Sequence, residues 1–269
     1  MVQCNKCGLV YTNPRLKQEK IAALYDADYF QGHGFDKSID YVKDVKEHTS
    51  KDDFTLEDWD CDNILSLLPQ TSNPKPQLLE IGCGTGVFLD KARKHGFDCY
   101  GLELSEYAAN FVRQMGIPVE TKSIEDATFP PNSFNSIVMR EVIEHLPHPL
   151  ESLRTIYSWL KPDGVLFMAT GNYDCQERKL RGSDWFYFMP EGHLNIFSNR
   201  TMRNYLRKVG FSRITVTNQG DKLMEMLKGK NIITSGQAKP RNILKRTVFI
   251  LIRSINHFIS SGMRIYAVK

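Results

Sequence analysis

Leu78-Leu79-Glu80-Ile81-Gly82-Cys83-Gly84-Thr85-Gly86 is the stretch that decides how this chain folds. A short apolar run reads as a buried strand, and three glycines at alternate positions then lead into a helix at Val87-Phe88-Leu89. Glycines at that junction let the backbone close on a ligand through torsions that a side chain would block. Spacing identifies the ligand class. The dinucleotide fingerprint G-x-G-x-x-G asks for a glycine where Val87 or Leu89 stands, so it fails. A triphosphate loop fails too, because no Gly-Lys pair follows. What remains is G-x-G-x-G behind a carboxylate, Glu80, which suits a cationic ligand better than a pyrophosphate.

Two further segments follow in order. Cys99-Tyr100-Gly101-Leu102-Glu103-Leu104-Ser105 is a strand ending in an acid 23 residues after Glu80. In nucleotide-binding α/β folds an acid at about this distance binds a ribose diol. Phe134-Asn135-Ser136-Ile137-Val138-Met139-Arg140 is an apolar strand running into Glu141-Val142-Ile143-Glu144-His145-Leu146. Together these segments resemble the motifs of class I S-adenosylmethionine-dependent methyltransferases, in the group that includes the ubiquinone-biosynthesis O-methyltransferases.

Strands are expected at 77–81, 98–103, 117–121, 134–140, 164–169 and 211–217, with helices near 86–95, 105–115, 149–160 and 199–208. Such alternation predicts a mostly parallel sheet covered on both faces. Gly262-Met263-Arg264-Ile265-Tyr266-Ala267-Val268 reads as a last strand. The resemblance implies a Rossmann-like seven-stranded α/β sheet in which that strand is antiparallel beside 211–217. It also implies a helical N-terminal lid over 16–68, with Tyr25 and Tyr29 near the cofactor. The polar, proline-broken run 71–76 separates residues 1–75 from a catalytic domain at 76–269, within which 221–262 is an insertion.

The resemblance implies S-adenosylmethionine as cofactor. It would lie against Gly82, Cys83, Gly84, Gly86, Leu104 and Arg140, with Glu80 serving the ammonium and Glu103 the ribose. Adenine would sit near Ser123 and Ile124, where relatives often carry an aspartate at the position of Ser123. Ligands on such sheets bind beyond the carboxyl ends of the strands, and Glu80, Glu103 and Arg140 share that end.

His145 is the first candidate for a general base, with positioning of the acceptor as its other role. Glu144 and His193 complete the candidate catalytic set. Glu141, Glu144 and His145 could also share one face and chelate a divalent ion, or Glu144 could pair only locally. His193 lies in Pro190-Glu191-Gly192-His193-Leu194-Asn195-Ile196-Phe197-Ser198, a recurrent segment of the group; holding the loop and its helix cap is the simpler role. Trp185-Phe186-Tyr187-Phe188-Met189 is expected to wall the acceptor pocket.

Composition sets the frame. With 269 residues, 41% apolar and 25% charged, the chain has room for one α/β domain and some decoration. The six cysteines do not read as a disulfide framework, and no basic-then-apolar leader opens the sequence, so a cytoplasmic location is expected. Cys4-x-x-Cys7 is similar to half of a zinc ribbon, but structural zinc needs four ligands. No metal is therefore expected as a resident group. Residues 221–269 carry ten Lys or Arg against two acids. Within them, 243–259 is amphipathic and could face its own domain, a second copy of the chain as a homodimer, or a membrane surface. The expected partner is a small-molecule acceptor, with a hydroxyl oxygen first. RNA is the second reading, although no RNA-binding module is recognisable, and a non-catalytic binding protein that keeps the fold is the third.

Overall fold

A computed structural model of the chain describes residues 1–17, 20–21, 23–34, 40–43, 45, 55–69, 75–218 and 261–269. The amphipathic stretch 243–259 lies outside the described residues.

A hairpin of β1 (Val2–Gln3) and β2 (Val10–Tyr11) opens the chain, and a five-residue turn at Tyr29–His33 and the helix α1 (Leu56–Leu67) follow. The central run is β3 (Gln77–Ile81), α2 (Val87–Lys94), β4 (Asp98–Glu103), α3 (Glu106–Gln114), β5 (Val119–Thr121) and β6 (Phe134–Arg140). Then come α4 (Pro149–Trp159), β7 (Leu160–Gly171), α5 (Gln176–Arg181), β8 (Asn195–Ile196), α6 (Asn199–Val209), β9 (Ile214–Asn218) and β10 (Gly262–Val268).

Seven strands form one sheet in the order β5-β4-β3-β6-β7-β10-β9. The pairs β3–β4, β3–β6, β4–β5 and β6–β7 are parallel, and β10 runs antiparallel to both β7 and β9. This is the sheet expected from the motifs, down to the antiparallel last strand. The strand expected at 164–169 is longer, Leu160–Gly171.

The period-2 geometry of a strand sends neighbours to opposite faces, and each face is apolar here because helices cover both. Leu79, Ile81, Ile137, Met139, Leu166 and Met168 meet Leu153, Ile156 and Trp159 of α4 and Met202 and Leu206 of α6. Leu78, Val138, Val165 and Phe167 meet Ile64 of α1, Phe88 and Leu89 of α2 and Val112 of α3. The carboxyl ends of the parallel strands are left for loops.

A buried ion pair ties α1 to the sheet. Asp60, fully buried, accepts from Arg264 Nε at 3.0 and 3.1 Å and from the Tyr266 hydroxyl at 2.8 Å. Removing one partner strands the other charge without water. Asp60→Ala should therefore cost about 3–5 kcal/mol. A lower denaturant midpoint at unchanged slope is the expected measurement.

Candidate functional site

The crevice is built from the loop after β3. Backbone N–H groups of Gly82 and Cys83 donate to Leu102 O at 2.7 and 3.3 Å, which seats the loop over the end of β4. Glu103, buried, takes the Gly84 N–H on one oxygen at 2.8 Å and the Ser105 N–H on the other at 2.9 Å. Each oxygen keeps a second lone pair, which is what a vicinal diol requires. Gly84 has φ +53°, and a side chain there would meet only the Phe30 ring at 3.9 Å. The space over Gly84 is thus open to a ligand.

Glu80 is the buried acid at the foot of this loop, and its Oε2 has no hydrogen-bond partner among the described residues. Burial pushes its carboxyl up to about 8, against a pull in the other direction from Arg140. A lone buried acceptor beside an open glycine loop and a diol-binding carboxylate fits the cofactor implied by the motifs. The remaining expected contacts divide. Cys83 is buried against Gly101, Leu104 is exposed, and the Ile124 side chain packs in the core. Ser123 donates to Asp126 at 2.8 Å on the surface. Arg140, at the end of β6, pairs with Glu57 of α1 at 2.7 Å and lies over the Phe88 ring. Glu57 was not singled out from sequence, and nothing local marks it.

Across the crevice lies a second polar group. The backbone turns sharply at Glu141, whose φ of +50° is rare for a residue with a side chain. Such strain collects at functional sites. Glu141 is an exposed residue, but its carboxylate turns in and accepts from the Tyr187 hydroxyl at 2.9 Å. Glu144 is fully buried; Thr170 donates to one of its oxygens at 2.9 Å and the Tyr187 hydroxyl contacts the other. The Tyr187 oxygen itself accepts from Gly171 N–H at 2.8 Å. That approach requires glycine, because a Cβ at 171 would stand 2.2 Å from the ring.

Counting protons shows what this group can do. One phenol proton can serve only one of the two carboxylates, so the other contact needs a proton on a carboxyl group. Burial, and then repulsion from Glu144, raises the Glu141 pKa; burial raises that of Glu144. Burial thus favours keeping a proton on this pair of carboxyls.

His145 and His193 stand beside it, with ring centroids 4.8 Å apart. His145 Nδ1 lies 2.9 Å from Gly192 O, and His193 Nδ1 lies 2.8 Å from Tyr187 O. A carbonyl only accepts, so both Nδ1 atoms carry hydrogen and a neutral ring presents Nε2 as a base. Ligand atoms of Glu144, His145 and His193 fall within 4.8 Å of one another, a spacing that a divalent cation could bridge. Tyr25 links the two halves: its ring packs on His145 at 5.9 Å, and both Glu144 and Glu103 act on its hydroxyl. The structure thus brings Glu144 and His145, in the turn after β6, beside His193 of the loop before β8.

Two details escaped the sequence. Tyr187 is the hub of the acidic pair, and Thr170 supports it. The alternation in 185–188 held the signal, since Trp185 and Tyr187 are buried while Phe186 is exposed.

Glu80 also gives the ligand-free protein a pH dependence. Its folded pKa of about 8 exceeds the ordinary 4.5, so the folded state holds the proton more tightly. Its contribution is full below about pH 4.5 and is lost as pH rises through about 8. Glu80→Gln should accordingly flatten the fall in Tm between pH 5 and pH 8, as read by thermal denaturation without ligand.

The comparisons with known proteins agree with this fold. A family model described as a methyltransferase domain matches residues 55–216. A ubiquinone biosynthesis O-methyltransferase of Xanthomonas campestris is 30% identical over 106 residues, which are 37% of this chain and 44% of that protein. Phosphoethanolamine N-methyltransferase 3 of Arabidopsis thaliana is 25% identical over 162 residues, 58% of this chain and 32% of that protein. The chain thus matches less than half the length of these curated relatives. Among solved structures, a SAM-dependent methyltransferase from Archaeoglobus fulgidus aligns with TM-score 0.55 at 21% identity, covering 80% of this chain and 93% of that one. With the family model spanning most of the parallel sheet and its flanking helices, this chain belongs to the methyltransferase-domain family.

Proposed function

We propose that the protein binds S-adenosylmethionine and transfers its methyl group to a hydroxyl oxygen of a small molecule. The observation that carries this reading is the facing pair of sites: the crevice of Glu80, Gly84 and Glu103 on one side, the His145 and His193 bases on the other, with Tyr25 between them. Bound in the crevice, the cofactor supplies an electrophilic methyl carbon. Glu80 would hold its ammonium and Glu103 its ribose hydroxyls, with the Gly82–Gly86 loop closing on the chain between.

The protein's own work is alignment and proton removal. Fixing an acceptor in line lowers such a barrier by about 7–11 kcal/mol. Nε2 of His193 or His145 takes the acceptor proton, and the Glu141–Glu144 pair beside them stabilises the imidazolium that forms. A hydroxyl acceptor needs such a base because it must lose its proton as oxygen attacks. Relatives named for O- and for N-methylation both match this chain, so the histidines, rather than similarity, support oxygen as the acceptor atom. A sugar, polyketide, quinone or lipid-linked hydroxyl falls within that class.

Calorimetry should show that wild type binds S-adenosylmethionine and that Glu103→Ala weakens it at least tenfold, the scale of hydrogen bonds to a charged group (about 1.5–3 kcal/mol). A wild type that binds no cofactor overturns the proposal. In a radiolabelled methyl-transfer screen over hydroxyl, amine and carbon acceptors, His193→Asn and His145→Asn should lower kcat on hydroxyls by ~10²–10⁴. Cofactor affinity should stay near wild type in both.

A further inference from the structure

The N-terminal hairpin reaches the histidine loop from the far end of the chain. Its turn is closed by Cys4 N–H donating to Leu9 O at 2.8 Å and Gly8 N–H donating to Cys4 O at 2.9 Å. β2 then pairs antiparallel with β8, Val10 against Ile196 and Tyr11 against Asn195, in a three-stranded sheet separate from the main one. One residue further on, Thr12 grips the loop with both of its donors. Its backbone N–H donates to Leu194 O at 2.9 Å, and its hydroxyl donates to His193 O at 2.8 Å. Thr12 is buried, so water does not replace either bond.

The opposite side of the loop is held by the acidic turn. Leu194 and Asn195 N–H groups donate to Glu144 O at 2.8 and 2.9 Å, and the Asn195 side chain donates to Leu146 O at 2.8 Å. The His193 peptide is therefore clamped between Thr12 and Glu144. Its imidazole in turn points Nδ1 at Tyr187 O. Without Thr12, the carbonyls of His193 and Leu194 would be buried acceptors lacking these donors, and a loop in that state shifts to find others.

We propose that Thr12 is a positioning residue for His193, and that the hairpin of residues 1–12 thereby sets the ring orientation and tautomer of the acceptor-side base. This rests on the reading of His193 as a base given above. The hydrogen bonds of Thr12 go to the histidine loop and to Met1, and among the described residues none reaches the glycine loop, so its influence falls on proton transfer and not on cofactor affinity.

Long-range ¹⁵N–¹H spectra of the imidazoles, recorded on the complex with S-adenosylhomocysteine, test this without knowing the acceptor. Wild type and Thr12→Ser should show His193 as a single Nδ1–H tautomer, assigned by its loss in His193→Asn. Thr12→Val removes the hydroxyl proton at nearly constant volume and should give mixed tautomers. Thr12→Ala keeps the backbone pairing and serves if valine does not fit. On the best hydroxyl acceptor from the screen, kcat should fall by about five- to tenfold in Thr12→Val, the loss of about one buried hydrogen bond. Thr12→Ser should restore it, and cofactor affinity should not move. An unchanged tautomer and kcat in both Thr12→Val and Thr12→Ala, beside an impaired His193→Asn, overturns this inference alone. A fully active His193→Asn overturns the role of His193 itself, and this inference with it.

Discussion

The carboxylate of Glu103 is the fixed point of the crevice. It ends β4, and its two oxygens hold N–H groups from the glycine loop after β3 and from the start of α3. Three segments thus meet on one buried acid. Parallel strands leave their carboxyl ends unpaired with any hairpin, so something must tie the loops there, and here it is the group that also offers lone pairs to a ligand. The arrangement explains why a buried carboxylate is tolerated: two backbone donors offset part of its desolvation, although burial still leaves its pKa raised.

The second site follows a different rule. Glu141 and Glu144 crowd one phenol, and burial forbids two full charges. Burial favours retaining a proton there, on carboxyls joined through the Tyr187 hydroxyl. Such a unit suits the neighbourhood of an imidazole that must become cationic and then release its proton. Gly171 is the steric condition for it, because Tyr187 lies against β7 where any side chain would stand.

Much of this was legible in the chain. The run 78–86, the acid at 103 and the strand into 140 gave the sheet and the crevice, because strand period, glycine spacing and the separation of two acids are local properties. Helix limits were equally local: Ser198 accepts from Thr201 N–H and caps α6, as a serine just ahead of a helix should. The acceptor side was legible only in part. His145 and His193 stood out by type, but the pairing of Glu57 with Arg140 and the place of Tyr187 joined residues with no periodic relation. Ser123 and Ile124 show the reverse, since they stand where the motif order puts them but turn their side chains to Asp126 and to the core.

By itself, then, the sequence determined the strand and helix order, the parallel sheet with its antiparallel last strand, and the acids at the strand ends. These follow from backbone torsions and from burial on two faces, which each short window of residues already encodes. Only the tertiary structure decided which carbonyls the Nδ1 atoms of His145 and His193 meet, that two buried carboxyls converge on Tyr187, and that Thr12 holds a carbonyl 181 positions away. Hydrogen-bond direction and proton count depend on which groups are brought together out of water, and that is set by the packing of distant segments.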